Sequence, residues 1–165
     1  MVKRAFRVSL KTALHVALLG LLVWIAGRPF IFPSLGPTAF ALALHPQQNT
    51  ARQVLGGHLC GVLAGLLVYH TFAAGLIVTT VHAPFSTGSL WLAASGAVSV
   101  ALTAASMLLT RTVHAPACAT TLIISLGLLP SFAEGGIIMV AVALLYSVHC
   151  LLQWAASRRS HPRTV

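Results

Sequence analysis

The sequence predicts an all-α membrane protein: four long transmembrane helices plus two short broken or re-entrant helices, arranged as two related halves. Three observations carry that reading. Only one of the 165 residues is acidic, Glu134, and 7% are charged, where a soluble domain carries about a quarter. The ten basic residues leave charge-free runs over residues 12–27, 29–51, 53–110, 112–133 and 135–157. A helix crosses the roughly 30 Å hydrocarbon layer in about 20 residues, so the 53–110 run holds two crossings and a loop. Proline-rich breaks at Pro29, Pro33 and Pro37, and again at Pro116, interrupt two of the other runs.

The first element follows Lys3, Arg4, Arg7 and Lys11. A basic start and an apolar run also describe a signal peptide, but Trp24 stands where a small residue is needed before Ala26. Residues 12–27 are therefore read as a retained helix. Residues 28–36 are rich in proline and β-formers, so an extended stretch is expected there. A short helix over residues 37–45 follows, with Pro37 in its first turn, where no amide donor is needed. The next long helix carries Gly57, Gly61 and Gly65 at four-residue spacing, a ridge that admits a close neighbour.

The third long helix places Ser95, Ser99, Thr103, Ser106 and Thr110 on one stripe, within about 80° at 3.6 residues per turn. The stripe reads either as a pathway wall or as a packing face. A second break then leads to a short helix expected over residues 117–129. The last long helix starts beside Glu134, a carboxylate that favours a helix N-terminus.

The breaks suggest an internal repeat. Arg28-x4-Pro33 is matched by Arg111-x4-Pro116, and Gly56-Gly57 by Gly135-Gly136, giving halves of about 10–80 and 88–157. If both breaks cross the bilayer, each half has three crossings and the halves are inverted. Six crossings leave only Arg28 on the far side. Four crossings with two re-entrant loops would add Arg52 and Arg111 to it. The positive-inside bias prefers six, with both termini cytoplasmic. The expected location is an inner (plasma) membrane of bacterial type, with residues 1–165 forming one membrane domain.

Composition also narrows the partners. The net charge of +9 forms no stripe or patch of the kind that tracks nucleic acid, so the partner is the lipid bilayer. Cys60, Cys118 and Cys150 are isolated in apolar runs, with no spacing for disulfides or a metal cluster. His58, His70 and His82 recur every twelve residues, which turns each about 120° and moves it about 18 Å along a helix. They cannot share one site. A pairing of His15 with His58 or His149 between helices stays open, but neither cofactor nor metal is expected. General acid–base chemistry wants a carboxylate or a positioned histidine with an orienting partner, so no enzyme is expected.

A binding site can be read at the breaks. Gly36-Pro37-Thr38-Ala39 and Ala117-Cys118-Ala119-Thr120 would open the two short helices. Helix N-termini that meet near a bilayer midplane bind anions through backbone amides and the helix dipole. Thr38 and Thr120 would add hydroxyl donors, with Gly36 and Cys118 beside them. Arg52, Arg111, His58 and His114 would supply attraction. The plainer reading is that both threonines cap their helices and the arginines anchor helix ends at headgroups.

The segment Thr110-Arg-Thr-Val-His-Ala-Pro-Ala-Cys-Ala-Thr-Thr-Leu-Ile123 resembles the signature of the HPP family of integral membrane proteins, typically Thr-Arg-Thr-x-His-Pro-Pro-Ala-Gly-Ala-Thr-Ala. Pro33-Ser-Leu-Gly-Pro-Thr-Ala39 and Arg52-Gln-Val-Leu-Gly-Gly-His58 are similar to its other two blocks. The resemblance covers roughly residues 10–155. Ala115, Cys118 and Gln53 depart from the family pattern, so the member is divergent. The resemblance implies four transmembrane helices and a suspected transport role, with nitrite associated with a plant chloroplast branch. The expected function is thus movement of a small polar solute, above all an inorganic anion such as nitrite. A non-transporting membrane subunit or scaffold is the alternative, and a haem or metal membrane protein a third. Six short elements make a thin wall, so a homo-oligomer is expected.

Overall fold

In the computed structural model, residues 1–159 are described; Arg163, one of the ten basic residues, lies outside them. The described chain forms six helices and no strand: α1 Val2–Ala26, α2 Ile31–Leu44, α3 Ala51–Phe72, α4 Thr87–Thr110, α5 Ala117–Ser125 and α6 Phe132–Arg159. Four of these, α1, α3, α4 and α6, are long and apolar enough to cross a membrane. Helices α3, α4 and α6 follow the charge-free runs, with charges only at or near their ends. Helix α1 instead begins at Val2, ten residues before the expected start at residue 12, and carries Lys3, Arg4, Arg7 and Lys11 in its first three turns.

The ends are set by local chemistry. Gly27 takes a left-handed φ of 63° and donates its N–H to the Val23 carbonyl, which closes α1. Thr50 and Gln53 form a capping box at the start of α3. Ser131 and Glu134 exchange hydrogen bonds in the same pattern before α6. Arg111 closes α4 at φ 56°.

Residues 28–36 correct the expectation of an extended break. Helix α2 begins at Ile31, not at Pro37, and Gly36, Pro37 and Thr38 lie inside it. Two turn bonds lead in, Ile31 N–H to Arg28 O at 3.2 Å and Phe32 N–H to Pro29 O at 3.1 Å. Pro33 falls in the first turn, where a missing donor is harmless. Pro37 removes one interior hydrogen bond, to the Pro33 carbonyl. Against that loss stands the burial of Ile31, Ser34, Leu35, Thr38, Ala39 and Leu42, one continuous helical face. Helix α5 is shorter than expected, ending at Ser125 rather than 129, because Gly127 turns the chain at φ 77°.

Contacts between the ends give the topology. The Arg52 Nη2 donates to the Thr110 carbonyl at 2.9 Å, so α3 begins where α4 ends. Val78 N–H donates to Leu126 O at 3.0 Å, joining the α3–α4 loop to the end of α5. Arg28 pairs with Glu134 at 3.1 Å, placing the end of α1 beside the start of α6. His70 near the end of α3 stacks on Phe132 at the start of α6, so the start of α1 and the end of α6 share the Arg52 end of the bundle, opposite Arg28.

The glycine ridge on α3 has its neighbour in residues 112–124. A Cβ on Gly57 would stand 2.8 Å from the Cβ of His114, and one on Gly61 2.9 Å from the Ala117 carbonyl oxygen. One on Gly65 would stand 3.0 Å from the Ile124 Cβ. The second broken segment thus runs alongside α3, and α5 starts at the middle of the bundle. Leu19, Ile31, Leu35, Leu42, Val54, Ile124, Ile138, Val142 and Leu145 fill the core around it.

Candidate functional site

Where α2, α3, α5 and the α4–α5 segment meet, five polar side chains form one unbranched chain. Ser34 Oγ lies 2.8 Å from Thr120 Oγ1. Thr120 Oγ1 lies 2.8 Å from His58 Nδ1. His58 Nε2 lies 2.8 Å from Thr38 Oγ1, and Thr38 Oγ1 lies 3.3 Å from His114 Nε2. The two imidazoles are 5.4 Å apart and tilted by 56°. All five are buried, and four have no exposed surface at all.

Each helix has a reason to deliver its part. Ser34 and Thr38 are one turn apart on the buried face of α2. His58 follows Gly57, whose missing side chain lets the His114 segment close on α3. Thr120 sits inside α5, one turn past Pro116. Neither threonine caps a helix. Nor does the amide end of α5 stand open: Ala117, Cys118 and Ala119 donate to the carbonyls of His114, Ala115 and Pro116 at 2.9, 3.1 and 3.1 Å.

The chain is charge-free when both imidazoles are neutral, and its donors are coupled. Neutral imidazole has one N–H and one lone pair. His58 therefore accepts from one of Thr38 and Thr120 and donates to the other. Each hydroxyl has a single proton, so the choice at His58 sets the direction of the bonds along the chain. Two orders exist, one the reverse of the other.

Of the residues picked out in the sequence, Thr38, Thr120, His58 and His114 are brought together. Arg52 and Arg111 are not: both are exposed at the bundle end, and Arg52 binds the end of α4. Gly36 and Cys118 are partly buried on α2 and α5, and neither joins the hydrogen-bonded chain. The α4 stripe splits. Ser95, Ser99 and Thr103 are fully buried: Ser95 donates to Ser125 O, Ser99 to Gly96 O and Thr103 to Ser99 O. Thr103 also meets Thr121 Oγ1 at 2.9 Å. Ser106 is half-buried and Thr110 exposed, each donating back to its own helix at Leu102 and Ser106. This is how hydroxyls lie in a close helix seam.

Ser34 was missed. Its signal was its position four residues before Thr38, legible only once residues 31–36 are read as helix. The other histidines are dispersed: His70 stacks on Phe132 and His82 meets the Ile77 carbonyl. His15 and His149 face one another at 5.7 Å in the seam of α1 and α6. Among the described residues no group of three or more His, Cys, Asp or Glu is arranged to hold a metal ion.

Comparison with known proteins returns no match among curated proteins or solved structures. The family model described as "HPP, transmembrane region" does match, over residues 1–162. With that coverage, the chain belongs to the HPP family of transmembrane proteins.

Proposed function

We propose that this chain carries a small inorganic anion, of the size and chemistry of nitrite, across the membrane through the buried cluster between α2, α3 and α5. One observation carries the reading. At the centre of the bundle, both short helices turn hydroxyls onto one fully buried histidine. Buried polar groups within a membrane domain are costly and mark pathways and binding sites. Substitution of a hydroxyl acceptor by the oxygen of an anion keeps each donor satisfied.

Helix packing supports an alternating route. Exchanging α1, α2 and α3 for α4, α5 and α6 turns the set of principal helix contacts into itself. The capping boxes before α3 and α6, and the left-handed closures of α1 and α4, follow the same exchange. Inverted halves packed around one central site are a recurrent transporter architecture. In this reading Arg52 and Arg111 gather anions at the bundle mouth.

The test is nitrite flux into proteoliposomes, with nitrate and chloride as competitors. Saturable flux is expected, and Thr38→Val and Thr120→Val should each lower it at least about tenfold, the effect of a lost buried hydrogen bond to a bound ion. Absence of flux for every anion, from protein shown to be folded, rejects the proposal.

A further inference from the structure

Resting on that reading, we propose that the anion travels together with a proton and that His58 holds the proton while the anion is bound.

The first argument is charge balance. An anion moved into an apolar bundle without a counter-charge meets a prohibitive desolvation cost. The arginines do not supply the charge at the cluster. Arg52 and Arg111 stay exposed at the bundle end, and Arg28 is paired with Glu134. The groups set against the cluster are Ser34 and Thr38 from α2, Thr120 from α5, and His114 from the α4–α5 segment. On the same side α4 contributes the Met107 thioether, which meets the His114 N–H. The only carboxylate, Glu134, is engaged by Arg28 and Ser131 at the start of α6. Lys11, whose carbonyl meets His15, belongs to the α1–α6 seam. His58 and His114 are therefore the only groups of the cluster that can become cationic.

The second argument is the donor count. Neutral His58 needs one threonine to donate to it, which leaves only the other threonine with its hydroxyl proton turned outward. Protonated His58 donates from both nitrogens. Thr38 and Thr120 then both accept from the ring, and both hydroxyl protons turn away from it. One proton thus converts the site from one outward donor to two, on residues from the two broken helices. The cation and the paired donors appear in a single event.

The step balances without a further reactant. A proton from water on the entry side forms the second N–H bond of His58 as the anion enters. On the exit side that N–H bond breaks, the proton returns to water with the anion, and one hydroxyl turns back to donate to the ring. Each cycle moves one anion and one proton, with no net charge.

Pyranine-loaded proteoliposomes in a nitrite gradient give the test. Protein-free liposomes set the background from undissociated acid, and valinomycin with potassium sets the membrane potential. Wild-type flux is expected to acidify the lumen in step with nitrite entry, to rise with an inward proton gradient, and to ignore the potential. His58→Gln keeps one donor and one acceptor but takes no proton. It should lose both the acidification and the response to the proton gradient. Wild-type nitrite flux that follows the potential and moves no proton would overturn the inference while leaving the anion carrier in place. Absence of all anion flux would overturn both. If the glutamine variant does not fold, the wild-type proton count and potential dependence still decide.

Discussion

One methyl group added at Gly61 tests how the second broken segment is seated on α3. A Cβ there would stand 2.8 Å from Thr121 Oγ1 and 2.9 Å from the Ala117 carbonyl oxygen, where ordinary contact begins at 3.4 Å. The threonine hydroxyl can rotate, but the carbonyl belongs to the first turn of α5 and moves only with it. Relief therefore requires α5 to withdraw by about 0.5 Å, the shortfall at that carbonyl. Overpacking of this kind costs about 1–3 kcal/mol, offset by about 1 kcal/mol for replacing glycine in a helix. Gly61→Ala should thus lose up to about 2 kcal/mol, by the difference of those terms. Gly136→Ala is the matched control, since a Cβ there meets nothing within 4 Å and keeps only the helical gain. The two variants differ by the overpacking term alone, so on the scale of chains this long they should melt about 2–12 °C apart. The assay is the fraction remaining monodisperse in detergent after graded heating. The same withdrawal stretches the 2.8 Å contact between Thr120 and His58, so nitrite flux should fall in Gly61→Ala and hold in Gly136→Ala. A Gly61→Ala protein that melts at or above Gly136→Ala would refute the seating of α5 on the ridge.

Other outcomes follow from the helix ends and from α2. Glu134→Ala loses the capping box before α6 and should cost about 1 kcal/mol. Glu134→Gln retains an accepting oxygen and loses only a half-exposed ion pair, worth less than about 1 kcal/mol; equal melting of the two would count against the cap. Pro37→Ala restores an amide donor on the exposed side of α2 and should stabilise by up to about 3 kcal/mol, read as a higher melting temperature in detergent. Arg52→Ala should leave the maximal nitrite flux intact and flatten its salt dependence, because a mouth charge acts through screened attraction. A collapse of maximal flux would place Arg52 in the binding step instead.

The long helices were legible because membrane burial is a property of whole runs: charges placed only at the ends of 12–27, 53–110 and 135–157 leave little choice. The start of α2 was not. Proline rules are local, and at Ile31–Leu44 the burial of a complete face from Ile31 to Leu42 outweighs one missing hydrogen bond. Four of the five cluster residues were legible, by the same reasoning from proximity that set the arginines beside them. His58 and His114 lie near the breaks in sequence and also in space. Arg52 is only six residues from His58, yet on a helix that is about 9 Å of rise and about 240° of turn. Proximity in sequence pointed to an arginine-lined site; the fold builds it from hydroxyls and imidazoles and leaves the arginines exposed at the bundle end.

Two sets of buried hydroxyls in this bundle separate packing from function. Along the α4–α5 seam, Ser95, Ser99 and Thr103 all donate to backbone carbonyls, partners fixed for as long as the helices exist. Around His58 all four bonds run between side chains, drawn from three helices and a connecting segment. Side chain to side chain bonds are the minority class in proteins, and here they are concentrated at one point in a fully buried setting. Such bonds can be reversed by a tautomer change at one ring, or exchanged for an incoming oxygen, while every backbone bond stays intact. A cluster retained only for helix association would gain from the first arrangement. The second is the one that allows a solute to be taken up and released.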